Sequence, residues 1–188
     1  MLATTQTGQL NNIDDCYIKV GSLQPIYMYI MPDIGDGHAA TYAQQNGIGR
    51  SMPAYTFSYG GPRQISWTIH LYADTYQRLL TNLQTLRIIE SCTYPRNGAG
   101  NLPFVPPSIC KLKCGPMLGD YEINVVLMSY SVKYPVDVQW SDKIGIPYNG
   151  NIISVGPIPY KFDIDCTFEV VYDASQLPGA ERILSLGN

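Results

Sequence analysis

The sequence predicts a mainly β protein, an antiparallel β-sandwich or open barrel with one flanking α-helix, and three stretches carry that prediction. From Tyr160 to Asp173, the residues Tyr160, Phe162, Ile164, Cys166, Phe168, Val170 and Tyr172 alternate with Lys161, Asp163, Asp165, Thr167, Glu169 and Asp173, the two-residue period of a strand with one buried face. From Arg63 to Tyr72, Ile65, Trp67, Ile69 and Leu71 alternate with Ser66, Thr68, His70 and Tyr72 in the same way. Just beyond, the period lengthens, and Leu79, Leu80, Leu83 and Leu86 fall on one helical stripe.

Taken in order, residues 1–15 read as a polar arm. Tyr17 to Val20 and Leu23 to Met31 read as paired strands about a Gly21-Ser22 turn. Residues 32–53 carry Gly35, Gly37, Gly47 and Gly49 among small polar residues and read as a long loop, of the kind that contacts a partner. After the strand at Arg63, Asp74 and Gln77 have the spacing of a capping box, so the helix is expected from about Thr75 to Glu90. Tyr94-Pro95-Arg96-Asn97-Gly98 ends it, and Pro103, Pro106 and Pro107 keep the next segment extended. Ser108 to Cys114 reads as a short strand with Cys110, Leu112 and Cys114 inward. Glu122 to Tyr134 reads as a longer one with Val126, Met128, Tyr130 and Val132 on one face. Residues 135–159 form a second expected loop, and 174–188 a C-terminal arm to a single domain spanning 1–188. The final strand would run roughly 45 Å at about 3.3 Å per residue, against about 17–20 Å for an ordinary strand. It is therefore expected to need a strand neighbour from another copy.

The 188 residues contain no run of 18 apolar residues, and the first residues lack the basic and apolar regions of a secretion signal. No membrane association is expected. Charged residues make up 14% of the chain and tyrosine outnumbers phenylalanine 15 to 4, a balance that suits surfaces buried in an assembly and equally an ordinary tyrosine-rich β protein. A formal net charge of −3 without basic clusters argues against nonspecific nucleic-acid binding. Five cysteines, an odd number, read as buried reduced thiols.

The chemistry-bearing residues point away from catalysis. Cys110 and Cys114 lack the further ligands of a zinc site, so no metal is expected there. Asp33, Asp36 and His38 sit in a glycine-rich stretch that fits no EF-hand register, and turn geometry accounts for them. Two histidines, neither beside a recognisable nucleophile, leave no triad, and the glycines of Tyr59-Gly60-Gly61-Pro62 open no helix that would hold phosphate. No enzymatic activity and no cofactor are expected. Asp163, Asp165, Glu169 and Asp173 repeat along one open face. They read either as a solvated sheet face or as the wall of a channel whose like charges keep nucleic acid from sticking.

The order of segments resembles the tube-fold domain of bacteriophage tail and baseplate proteins over about residues 55–175. The resemblance lies in the strand Arg63 to Tyr72, the helix with Leu79 to Ile89, Tyr94-Pro95, Pro106-Pro107, the strand ending near Cys114-Gly115, Val125 to Tyr134, and Phe162 to Tyr172. Thr167-Phe168-Glu169-Val170-Val171-Tyr172 is similar to the last strand of tail-tube subunits. The resemblance implies a virion protein assembled in the host cytoplasm, a β-sandwich with a flanking helix that forms hexameric rings. Long strands of the copies would then line a bore through which DNA passes without specific binding. Its partners would be copies of itself and neighbouring tube or baseplate proteins. Under that reading Asp163, Asp165, Glu169 and Asp173 face the channel, and Asp33, Asp36, His38, Tyr42 and Arg50 contact neighbouring subunits. The chain departs from the family in its extension Leu177 to Leu184 and in lacking a LysM segment. The rival expectations are a carbohydrate-binding or adhesion β-sandwich and a hydrolase using Asp163 with Asp165 or Glu169.

Overall fold

One antiparallel sheet of seven strands, curled into a half-barrel against a single helix, organises the protein in the computed structural model. The structure describes residues 12–46, 48–49, 51–97, 104–119, 121–141, 145–148, 151–154 and 157–172. The elements are β1 (Cys16–Val20), β2 (Ile26–Tyr27), β3 (Asp33–Gly37), β4 (Ala40–Gln45), β5 (Ala54–Gly60), β6 (Gln64–Tyr72), α1 (Tyr76–Ser91), β7 (Arg96–Asn97) and β8 (Phe104–Val105). They continue with β9 (Cys110–Cys114), β10 (Ile123–Lys133), β11 (Trp140–Ser141), β12 (Gly145–Tyr148), β13 (Asn151–Ser154), β14 (Ile158–Pro159) and β15 (Lys161–Val170). The sheet order is β2-β1-β9-β10-β15-β6-β3, and four two-stranded ribbons, β4-β5, β7-β8, β11-β14 and β12-β13, stand outside it. The fold is thus the mainly β, one-helix open barrel that the alternation predicts.

The core lies between the sheet's concave face and α1. Ile65, Trp67, Ile69, Phe162, Ile164, Cys166 and Phe168 from β6 and β15 are fully buried, as are Ile18, Leu112 and Val125 from the strands beside them. The helix adds Leu79 and Ile89, but its most buried line also carries Asn82 and Thr85. Leu80, Leu83 and Leu86, expected inward, are only half-buried. Leu83 packs with Ala73 and Ile158 in a small second cluster. The helix cap is Thr75, whose hydroxyl accepts the Arg78 N–H at 3.3 Å. Asp74, the expected cap, instead forms an ion pair with Arg78 at 3.5 Å. Thr75→Ala should therefore cost about 1 kcal/mol, read as a fall of about 2–4 °C in Tm.

Three expectations about strands need correction. First, β15 has ten residues, and both its edges are filled from within the chain: Val125 to Lys133 pair along one side and Gln64 to Tyr72 along the other. Backbone donors and acceptors of a central strand are already satisfied, so β15 needs no strand from another copy. Its neighbours match its length, β6 with nine residues and β10 with eleven, so the long strand is satisfied within its own sheet. Second, β10 changes face part-way. Val125 and Leu127 point inward, whereas beyond an irregularity between Leu127 and Ser129 it is Tyr130 and Val132 that pack on the core. A bulge inserts one residue and shifts the period by one, which leaves Met128, expected inward, exposed. Third, the expected loop 32–53 contains β3 and β4, and 135–159 contains β11, β12, β13 and β14. In β3 the sequence Asp-Ile-Gly-Asp-Gly has a single apolar side chain, so pairing with β6 leaves no hydrophobic period to read. A Cβ at Gly35 would meet Ser66 Oγ at 2.4 Å, so a side chain there would have to turn that hydroxyl away. Only Ile26–Tyr27 of the expected strand Leu23 to Met31 is extended and paired. Residues 12–15, placed in the arm, are held by the Ile13 N–H, which donates to Met28 O at 2.6 Å. Residues 1–11 and the arm 174–188 lie outside the described residues.

Candidate functional site

The convex face of the sheet, opposite α1, gathers the polar side chains that alternate with the core. Asp163, Asp165 and Glu169 all lie on it, half-buried, while Asp173 lies outside the described residues. The register gives two of these carboxylates partners. Asp165 sits opposite Ser131 on β10 and Thr68 on β6. It accepts from Lys133 Nζ at 2.6 Å and from Thr68 Oγ1 at 2.7 Å. Lys133 and then Thr68 hold its carboxyl below the usual value of 3.8. Asp163 lies directly opposite His70, whose Nδ1 is 2.8 Å from Asp163 Oδ1, and whose Nε2 reaches Asp33 Oδ2 at 3.3 Å. His70 thereby ties the central β15 to the edge strand β3.

At the other end of the same face, lysines balance the acids. Lys111 Nζ lies 2.8 Å from Glu122 and Lys113 Nζ 3.1 Å from Asp15. Tyr17 OH donates to Glu122 at 2.8 Å, and that carboxylate pushes the phenol up to about 12. The expected wall of like charges is therefore a surface of mixed sign. His70 and Thr68 reach Asp163 and Asp165 from a strand more than ninety residues away in the chain, beyond the reach of a local pattern.

The residues expected at subunit contacts divide. Asp33 and Asp36 are on β3, and Asp36 forms a two-pronged ion pair with Arg63 that holds its carboxyl below the ordinary value of 3.8. His38 is exposed in the turn after β3 with its ring near Gly60, Tyr42 is exposed on β4, and Arg50 lies outside the described residues. Tyr42 belongs to a group that sequence reasoning missed. The β4-β5 ribbon leaves Tyr42, Tyr55, Phe57 and Tyr59 each more than half exposed, with Ile48 and Met52 near its tip. Tyr42 and Phe57 are directly opposite and meet edge to face at 5.7 Å. The ribbon's extensive contacts are confined to its own two strands. The signal was present in Tyr55, Phe57 and Tyr59, an aromatic at every second position.

A cleft of about 490 Å³ opens where the half-barrel fails to close, between β2, α1 and β6. Tyr29 spans its end: its hydroxyl accepts the Tyr72 N–H at 2.7 Å and lies 2.9 Å from Tyr72 O and 3.1 Å from Asn82 Oδ1. Among the described residues no cluster of three or more His, Cys, Asp or Glu side chains is arranged to hold a metal ion. No helix among them is long and apolar enough to cross a membrane.

The depressed carboxyls set a pH dependence. A carboxylate whose folded-state pKa is lowered contributes stability that is complete at neutral pH, begins to be lost as the pH falls toward 3.8, and is gone below the folded value. Asp36 is about one-third exposed, so solvent screening limits its share to at most about 1 kcal/mol. Thermal melts should show Tm falling between about pH 5 and pH 3. Asp36→Asn should start lower at neutral pH and fall less.

Neither a protein-family model nor a curated protein sequence matches this chain.

Proposed function

We propose that the chain is a structural subunit of a bacteriophage tail that closes into a ring with copies of itself, at the tube or at its baseplate end, around a channel for DNA. The observation that carries this reading is the β4-β5 ribbon, whose aromatic side chains are each more than half exposed among the described residues. Exposed aromatics in one patch mark an interaction surface. Because β15 is filled on both sides, copies do not join through it. They join through the ribbon and the outer edge of β3, which pairs with no strand among the described residues. The similarity of segment order to tube-fold proteins supports placing that assembly in a phage tail.

In this arrangement the convex polar face borders the bore. Its acids and lysines are paired across strands, so little net field remains to retain DNA phosphates. The subunit works by burial and shape, without a catalytic step, and its neighbours are other tube or baseplate proteins. Sedimentation of the purified chain at micromolar concentration, run beside a glycan array, tests the reading. Closed oligomers without glycan binding are expected. A monomer that binds glycans would replace the proposal with the adhesion module.

A further inference from the structure

We propose that Cys16 and Cys114 form a disulfide-competent pair, a cross-strand covalent link that joins β1 to β9 when the protein meets a small hydroperoxide. The two residues face each other in the β1-β9 ladder, and their sulfurs lie 3.1 Å apart in the core. Which kind of pair they form follows from the hydrogen bonds on either side. The Gly115 N–H donates to Asp15 O at 2.9 Å, and the Gly21 N–H donates to Ile109 O at 3.2 Å, so the odd-numbered residues of β1 exchange bonds with β9. Cys16 uses its carbonyl in the opposite direction, accepting from the Met28 N–H at 2.9 Å. Cys16 and Cys114 therefore occupy a non-hydrogen-bonded site, where paired Cα atoms stand about 4.5 Å apart and side chains come closest. That separation is within the range a disulfide spans, and the sulfurs need close by only about 1 Å.

Access is the second observation. Both thiols are almost wholly buried, yet Cys16 and Cys114 line a recess of about 130 Å³ together with Ile13, Asp14, Met31 and Pro116. A hydroperoxide fits such a space, whereas a peptide thiol does not. One sulfur takes up the peroxide hydroxyl as a sulfenic acid and water leaves. The other thiol then displaces that hydroxyl, forming the S–S bond and releasing a second water. Two thiols and one hydrogen peroxide thus give one disulfide and two waters.

The remaining cysteines share that core but not the recess. Cys92 and Cys110 are 3.8 Å apart, and neither they nor Cys166 line it. Burial, and then the hydrogen bond with Cys114, push the Cys16 thiol up to about 12. The reaction should therefore be slow at neutral pH and accelerate roughly tenfold per pH unit on the alkaline side.

The test treats the full chain with hydrogen peroxide at pH 7 and pH 8.5, followed by thiol counting and peptide mapping. The expected result is a mass loss of about 2 Da, titratable thiols falling from five to three, and a linked peptide pair containing Cys16 and Cys114. Tm should rise by about 10 °C, because the link closes a loop of nearly a hundred residues. Cys16→Ala should abolish the linked pair and the rise together. Should that variant fail to fold, the wild-type map alone decides. Five thiols that persist, a link joining Cys92 to Cys110, or a disulfide between two copies would each overturn the proposal.

Discussion

If the chain assembles as proposed, replacing Tyr42 and Phe57 together by serine should leave a monomer, with self-association weakened at least about 100-fold. Both side chains lie on the outer ribbon, more than half exposed, and pack chiefly on each other. Each is the kind of aromatic anchor whose truncation costs about 2 kcal/mol or more at the centre of an interface. The protomer itself should keep its fold, since neither residue belongs to the core between sheet and helix. Sedimentation velocity reads the first effect, and circular dichroism with a thermal melt reads the second. An unchanged oligomer would move the contact away from the ribbon, and an unfolded variant would show that the ribbon supports the protomer.

The second large effect falls on the core. Trp67 is fully buried at the middle of β6, opposite Cys166 on β15 and Ile34 on β3. Trp67→Ala should destabilise by about 3–5 kcal/mol, a large share of the roughly 5–15 kcal/mol a domain possesses. Trp67→Phe provides the contrast. The indole Nε1 finds no hydrogen-bond partner among the described residues, so removing it relieves a buried orphan donor and offsets part of the lost contact area. The phenylalanine variant should stay within about 1.5 kcal/mol of the parent. Urea midpoints measured in the monomeric ribbon variant would separate the two, because assembly there no longer adds to apparent stability.

The central strands were legible because each buries one face completely. In β6 and β15 every second residue is in the core, so a period of two could be read directly from Ile65 to Leu71 and from Phe162 to Val170. The helix was legible from its leucines, but its cap was not. Asp74 and Thr75 are both good capping residues, and the backbone decides between them. The ribbon escaped for the opposite reason. Ala40 to Gln45 buries neither face, and a strand without a buried face has no hydrophobic period. In β10 the bulge reverses the period within four consecutive apolar residues, Val125 to Met128, so the sequence admitted either phase. The polar face was read as acidic because only one of its strands was visible at a time. His70, Lys133 and Thr68 become neighbours of Asp163 and Asp165 only through register, as does Cys114 of Cys16.

Negative-stain images of the purified chain bear most directly on whether it builds a channel. Closed rings of uniform diameter with a central hole are expected, and they should disappear in the Tyr42→Ser/Phe57→Ser variant. Isolated particles of protomer size at micromolar concentration, with no hole at any loading, would contradict it.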